Sequence, residues 1–199
     1  MNLKLTGTKM VYAAILILLV TLIVGWKLTA RSSYESADYS VIESDGPFEV
    51  RAYPDLMLVT TGMKSRGNNG SFGRLFRYIS GGNDKAVKVA MTTPVFMEAE
   101  GRGTEGRMGF VVPVDVAANQ IPNPIDGAVQ IQKRAGGRFV VIRFSGEMGE
   151  ATMAATEEKL RQWIIARGFT ASESVEFAGY DPPWTPNPFR RNEILIRLH

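Results

Sequence analysis

The chain has 199 residues, 45% apolar and 22% charged, the balance of a globular protein and not of a disordered one. Its net charge of +3 arises at the N-terminus: Lys4, Lys9, Lys27 and Arg31 are the only charged residues in 1–31, and the remainder is slightly acidic, which argues against a nucleic-acid-binding domain. There is no cysteine and the single histidine is the last residue, His199, so disulfides, thiolate ligation, iron–sulfur clusters and any mechanism that needs a core imidazole are excluded.

Residues 1–9 read as a short tail. Within residues 10–28, Met10 to Trp26 is almost wholly apolar, about the shortest run that spans a bilayer as a helix, with Tyr12 and Trp26 near its ends, where aromatic side chains favour the interface. The run is longer than a signal-peptide core, and Leu28-Thr29-Ala30 is a poor cleavage site. An uncleaved transmembrane signal anchor is therefore expected over a cleaved leader. Basic residues flank both ends, and the short tail favours a cytoplasmic N-terminus with an extracytoplasmic, periplasmic domain. Residues 29–38, rich in serine, read as a tether, and 39–199 as one domain.

Within that domain, Tyr39–Glu43 and Phe48–Tyr53 flank the turn signal Ser44-Asp45-Gly46-Pro47 and read as a hairpin, followed by a strand at Leu56–Met63. Lys64 to Gly70 reads as a loop, after which Ser71 is placed to cap a helix. In that helix Phe72, Leu75, Phe76 and Ile79 recur at helical spacing, and Gly81-Gly82 ends it. Strands are expected at Val87–Ala90, Val95–Glu98 and Met108–Val114, with a Gly-rich tip between the last pair. Ile121-Pro122-Asn123-Pro124 separates the halves. A hairpin follows at Val129–Lys133 and Arg138–Ser145, then a helix from Thr152 to Arg167 closed by Gly168, with Met153, Leu160, Trp163 and Ile164 on one face. Ser172–Phe177 and Glu193–Leu198 supply the last strands. Strand-strand-helix-strand-strand thus occurs twice. The order predicts a pseudo-twofold α+β domain in which each helix covers a curved antiparallel sheet.

The C-terminal block Ala178-Gly179-Tyr180-Asp181-Pro182-Pro183-Trp184-Thr185-Pro186, then Arg190-Arg191-Asn192-Glu193, concentrates rigid residues in a way no exposed linker requires. With Phe76-Arg77-Tyr78-Ile79-Ser80-Gly81-Gly82-Asn83, Met91-Thr92-Thr93-Pro94-Val95, and the Tyr39–Tyr53 stretch centred on Glu49-Val50-Arg51, it resembles the SOUL haem-binding protein family over Tyr39 to Leu198. The resemblance implies a distorted antiparallel β-barrel with two helices, and non-catalytic binding of haem or a related tetrapyrrole for transport, buffering or sensing. It places the tetrapyrrole on the first helix, through bulky apolar positions and one basic residue that fall here on Phe72, Phe76 and Arg77.

The same stripe also fits ordinary core packing. As a ligand platform it would offer an apolar face to a flat aromatic molecule, with Arg74, Arg77 or Lys88 near its acidic groups. Family members that ligate iron through a histidine near this helix have no counterpart here, and phenylalanine at positions 72 and 76 cannot donate sulfur. Tyr53, Tyr78, Met91 and Met97 are the remaining donors, each with a structural explanation. Haem is thus expected to be held by apolar contact and propionate pairing, without an axial histidine, and metal-free porphyrin to bind about as well. Arg190, Arg191 and Glu193, with Asp181, read as an ion-pair network that locks the closing strand. A hydrolase built on a carboxylate beside Tyr180, or on Glu98, Glu100, Glu147 or Glu150, is the second reading, and a protein-interaction module the third.

Overall fold

The computed structural model describes residues 7–29, 34–63, 70–98 and 106–199. The chain divides into two compact units, residues 1–34 and 35–199. The first contains helix α1 (Gly7–Thr29), whose described side chains, Lys9 to Thr21, are exposed. The transmembrane anchor expected at 10–28 finds no support. The segment is helical, but among the described residues no helix is long and apolar enough to cross a membrane.

The second unit runs β1 (Glu35–Ser36), β2 (Ser40–Asp45), β3 (Phe48–Tyr53), β4 (Leu56–Met63), α2 (Ser71–Ile79), β5 (Thr92–Thr93), β6 (Val95–Glu98), β7 (Gly106–Val111) and α3 (Val114–Ala118). It continues with β8 (Val129–Arg134), β9 (Gly137–Phe144), α4 (Glu150–Ala166), β10 (Ala171–Gly179), a short 3-10 turn (Asn187–Phe189) and β11 (Asn192–Leu198). Residues 35–38 belong to this unit: β1 pairs with β5, the Ala37 N–H donates to Thr93 O at 2.8 Å, and Ala37 is buried.

Among the described residues, nine strands form one antiparallel sheet in the order β2-β3-β9-β11-β10-β6-β7-β4-β8. Apart from the extra edge strand β2, the order is palindromic about the β10–β6 pair. Each half, β3-β4-α2-β6-β7 and β8-β9-α4-β10-β11, sends its first strand across to pair with the second strand of the other: β3 with β9, and β8 with β4. The distorted barrel is corrected to an open sheet, because among the described residues no ladder joins β2 to β8. Side chains hold the curl instead: the guanidinium of Arg134 on β8 lies 4.3 Å from the Phe139 ring centre on β9 and 5.0 Å from that of Tyr53 on β3.

Central strands are apolar on both faces, as continuous runs such as Phe139-Val140-Val141-Ile142 dictate. Phe139, Val141 and Leu195 pack on the concave face with Leu56, Leu58 and Phe96. Val140, Ile142, Ile194 and Ile196 face α4, whose Met153, Leu160 and Ile164 are buried against them. Trp163, half-buried, stacks on Phe48 at 5.4 Å. On the other half, Leu75, Tyr78 and Ile79 of α2 pack on Val59, Phe110 and Val129. The strand expected at Val87–Ala90 does not form: these residues lie in no helix or strand. The seventh strand ends at Val111, where Pro113 starts α3 in place of the expected continuation to Val114. The expected loop at 64–70 and the tip after Glu98 fall largely outside the described residues.

The two strand-crossing links meet. Asp55 Oδ1 accepts the Gly136 N–H at 2.7 Å, and a Cβ at Gly136 would lie 2.5 Å from Tyr53 O and 2.6 Å from Pro54 C. These are backbone atoms that cannot swing away. Gly136→Ala is expected to destabilise the domain by about 1–3 kcal/mol in urea unfolding. Gly73→Ala, in an exposed helical position with nothing within 4 Å of the new Cβ, is expected to stabilise it by about 0.5–1 kcal/mol. Equal, small effects at both positions would contradict the close packing of the links.

Candidate functional site

Helix α2 divides its apolar stripe between two tasks. Leu75, Tyr78 and Ile79 are buried, whereas Phe76 is 52% exposed and Phe72 half-buried at the helix edge. The Phe72 ring meets Phe110 edge-on at 5.2 Å and stacks on Phe76 at 6.1 Å with 13° between the planes. Core packing therefore accounts for one side of Phe72 and leaves the outer ring of the stack open. Arg77 follows, its side chain 71% exposed. Gly73, one turn before Phe76 and Arg77 on the same face, adds no side chain over this surface.

The other predicted residues take different places. Ser71 is the first helical residue and not the cap: the cap position is Gly70, and Ser71 Oγ donates to Gly62 O at 3.0 Å. Arg74 turns back to β4, donating from Nε to Thr61 Oγ1 at 3.0 Å and from Nη2 to Gly62 O at 2.8 Å, so its hydrogen bonds serve to fix α2 to the sheet. Lys88 is exposed in the segment that returns past the helix end, where the Val89 N–H donates to Ile79 O at 2.9 Å. The return is tight. Gly82 N–H donates to Arg77 O, and a Cβ at Gly82 would fall 2.8 Å from that oxygen, so glycine alone lets the chain pass beneath Arg77.

One wall of this surface escaped the sequence reading. The segment between the halves is pinned against α2: Tyr78 OH donates to Pro122 O at 2.7 Å, and Asp84 accepts from the Asn123 backbone and side chain at 2.8 Å each. Asp126 then faces Arg77, with Oδ2 3.9 Å from Nη1. Its signal in the sequence is the rigidity of Pro122-Asn123-Pro124, which marks a boundary between the halves without naming what it packs on.

The concave face of the sheet carries the second concentration of charge. Arg51 and Glu193 are fully buried and pair through two bonds, Nη1 to Oε2 at 2.6 Å and Nη2 to Oε1 at 3.0 Å. Arg191 adds bonds from Nε at 2.9 Å and Nη2 at 2.6 Å, and Tyr180 OH donates to Oε2 at 2.9 Å. Arg191 was expected here. Arg190 instead donates to the Thr185 and Pro183 carbonyls, and Asp181 accepts the Arg191 N–H. Burial pushes the Glu193 carboxyl up, but the bonds and charges of Arg51 and Arg191 outweigh it and hold it below the ordinary carboxylate range. Burial raises Tyr180, and the Glu193 charge raises it further. The carboxylate beside Tyr180 is thus ionised, saturated with donors and out of contact with solvent. Further along the face, Arg134 Nε donates to Glu176 Oε2 at 2.8 Å, and burial raises the Glu176 carboxyl. Arg134 Nη1 has no hydrogen-bond partner among the described residues, and the guanidinium sits among the rings of Phe139, Phe96 and Tyr53.

The four remaining donor candidates are occupied by the fold. Tyr53 is buried and its oxygen accepts from Arg51 at 3.0 Å. Tyr78 is bound to Pro122 O and pushed up to about 12 by burial and by Asp84. Met91 and Met97 pack, half-buried, against core clusters. Among the described residues no group of three or more His, Cys, Asp or Glu is placed to hold a metal ion.

Removing the Glu193 charge leaves the fully buried Arg51 with its Glu49 ion pair alone and strips the partly buried Arg191 of the carboxylate its guanidinium pairs with. Glu193→Gln is therefore expected to lose about 3–5 kcal/mol in urea unfolding. Because the folded carboxyl lies below its ordinary value of 4.5, its contribution is complete above that pH and lost as pH falls through the folded value. Wild-type stability should decline below about pH 4.5, and the Glu193→Gln variant should show a shallower acid limb; parallel acid limbs would contradict this role.

Residues 34–197 match the family model described as SOUL heme-binding protein. The chain is 32% identical to Heme-binding protein 1 of Mus musculus over 129 residues, 62% of this chain and 67% of that protein. It is 28% identical to Heme-binding protein 1 of Xenopus laevis over 162 residues, 76% of this chain and 84% of that one. The fold is similar to the EcmrR C-terminal domain, with a TM-score of 0.57 at 14% identity over 81% of this chain and 98% of that domain, a likeness of fold alone. With the family match running across almost the whole of the 35–199 unit, the chain belongs to the SOUL heme-binding protein family.

Proposed function

We propose that this protein binds haem or a related tetrapyrrole on the exposed face of α2, without catalysis, for transport, buffering or sensing. The observation that carries the reading is the stacked Phe72–Phe76 pair, open on its outer side and followed directly by an exposed arginine. A flat macrocycle gains from an aromatic and apolar surface through dispersion and area burial. Its acid groups gain from Arg77, with Lys88 the next cation along the returning segment. The family, and relatives named Heme-binding protein 1, support the ligand class.

The residues present fit the faces and acid groups of a porphyrin, whereas Tyr53, Tyr78, Met91 and Met97 are committed to packing or internal hydrogen bonds. Bound haem would bring a redox-active iron. The chain's own contribution is the platform, its cation and the exclusion of water from one porphyrin face. Hydrolysis has less support, because the carboxylate beside Tyr180 is fully buried and held ionised. A periplasmic location, on the short N-terminal tail, and the lack of a nucleic-acid partner, on the charge distribution of the sequence, remain parts of this reading; cell fractionation with protease accessibility tests the location.

Titration of the full chain with hemin and with metal-free protoporphyrin, followed by absorbance and Trp fluorescence, should show saturable binding with similar affinity for both. Phe76→Ala and Arg77→Glu should each weaken it about tenfold or more, given a stacking contact and a charge reversal of roughly 1–3 kcal/mol each. No saturable binding to either compound, or binding indifferent to both substitutions, would contradict the assignment.

A further inference from the structure

We propose that Asp126 is a built-in competitor for the carboxylates of an acidic tetrapyrrole and thereby sets how strongly those groups contribute to binding. The inference rests on the α2 assignment above and concerns a residue on the opposite wall. In the free protein the Asp126 carboxylate is the acidic group paired with Arg77, 3.9 Å away. Its position is fixed independently of Arg77. Its Oδ1 accepts the Ala128 N–H at 3.0 Å and its carbonyl accepts the Val129 N–H at 2.9 Å. The segment that carries it is tied to α2 through the buried Tyr78–Pro122 bond and the Asp84–Asn123 pair. Asp126 therefore cannot drift away when a ligand arrives. A ligand carboxylate that reaches Arg77 must share it with a fixed anion and bear the repulsion of that anion across a partly exposed surface. Ile125, 71% exposed beside it, leaves the apolar contribution of the same wall intact.

The consequence is selectivity by charge. Apolar contact with Phe72 and Phe76 is unaffected by Asp126, while the gain from each acid group is reduced. The site favours tetrapyrroles that carry few carboxylates and a large apolar ring.

The test compares wild type with Asp126→Asn, which keeps the Oδ1 acceptor for Ala128 and removes the charge. The probes are protoporphyrin and its neutral dimethyl ester, titrated in one buffer at low and high salt. Asp126→Asn should bind protoporphyrin about two- to fivefold more tightly, the range of an exposed ion pair. The ester should be unchanged, and the gain should shrink at high salt. In an Arg77→Gln background the same substitution should give a smaller gain, because the competition acts through Arg77. If wild type binds protoporphyrin but Asp126→Asn gives no gain, or an equal gain for the ester, the role of Asp126 is overturned while the α2 assignment stands. If wild type binds neither probe, both fall.

Discussion

The Glu193 carboxylate, buried at the centre of the concave face, is the constraint around which the rest of the domain is arranged. Isolated, it would be too costly to desolvate. It is tolerated because β3 delivers Arg51, the C-terminal block delivers Arg191 and Tyr180, and the residues before β2 deliver Tyr39, whose oxygen accepts from Arg191 and whose ring lies under Arg51 at 4.2 Å. Three separated stretches of chain must be in place together for one charge to be satisfied. Arg134, Glu176 and their aromatic neighbours fill the other end of the same face. The concave side of the sheet is therefore occupied by the protein's own charges, and a ligand placed there would have to replace them.

That leaves the outer faces. Helix α4 turns Met153, Leu160 and Ile164 onto the sheet, and its C-terminal end is clasped to the β2–β3 hairpin by Arg167 and Trp163 on Asp45. Helix α2 is too short to hold itself together in water. It is held by Arg74 to β4, by Tyr78 to the inter-half segment and by Gly82 beneath its last turn, and it still leaves Phe76 and Arg77 outward. An exposed glycine at position 73 weakens the helix further and keeps the same face flat. Packing alone explains the buried half of α2 and gives no reason for the exposed half.

Local patterns in the sequence carried much of this. The 3.6 spacing of Phe72, Leu75, Phe76 and Ile79 placed the helix, and the Gly81-Gly82 pair placed its end, because both signals act within a turn or two. The pairing of Arg191 with Glu193 was legible since alternate residues of a strand share a face. Its main partner was not: Arg51 is 142 residues away, and only the exchange of first strands between the halves brings β3 beside β9 and hence near β11. The split of the helical stripe into buried and open members was equally hidden, since Phe72 and Phe76 are identical in type and differ only in whether Phe110 lies against them. Ser71 misled because a serine before an apolar stripe is the usual cap signal, whereas here Gly62 O competes for its hydroxyl. The wall that carries Asp126 was missed because proline-rich spacing marks rigidity without saying what the rigid segment rests on.

Amide hydrogen exchange of the full chain, measured with and without protoporphyrin, tests most directly whether the ligand sits on α2 and not within the charged interior. Slowed exchange confined to residues 71–82 and 121–128, with β9 and β11 unchanged, is the predicted result. Protection centred instead on Tyr180 to Glu193 and the concave strands would contradict it and place the ligand among the buried charges.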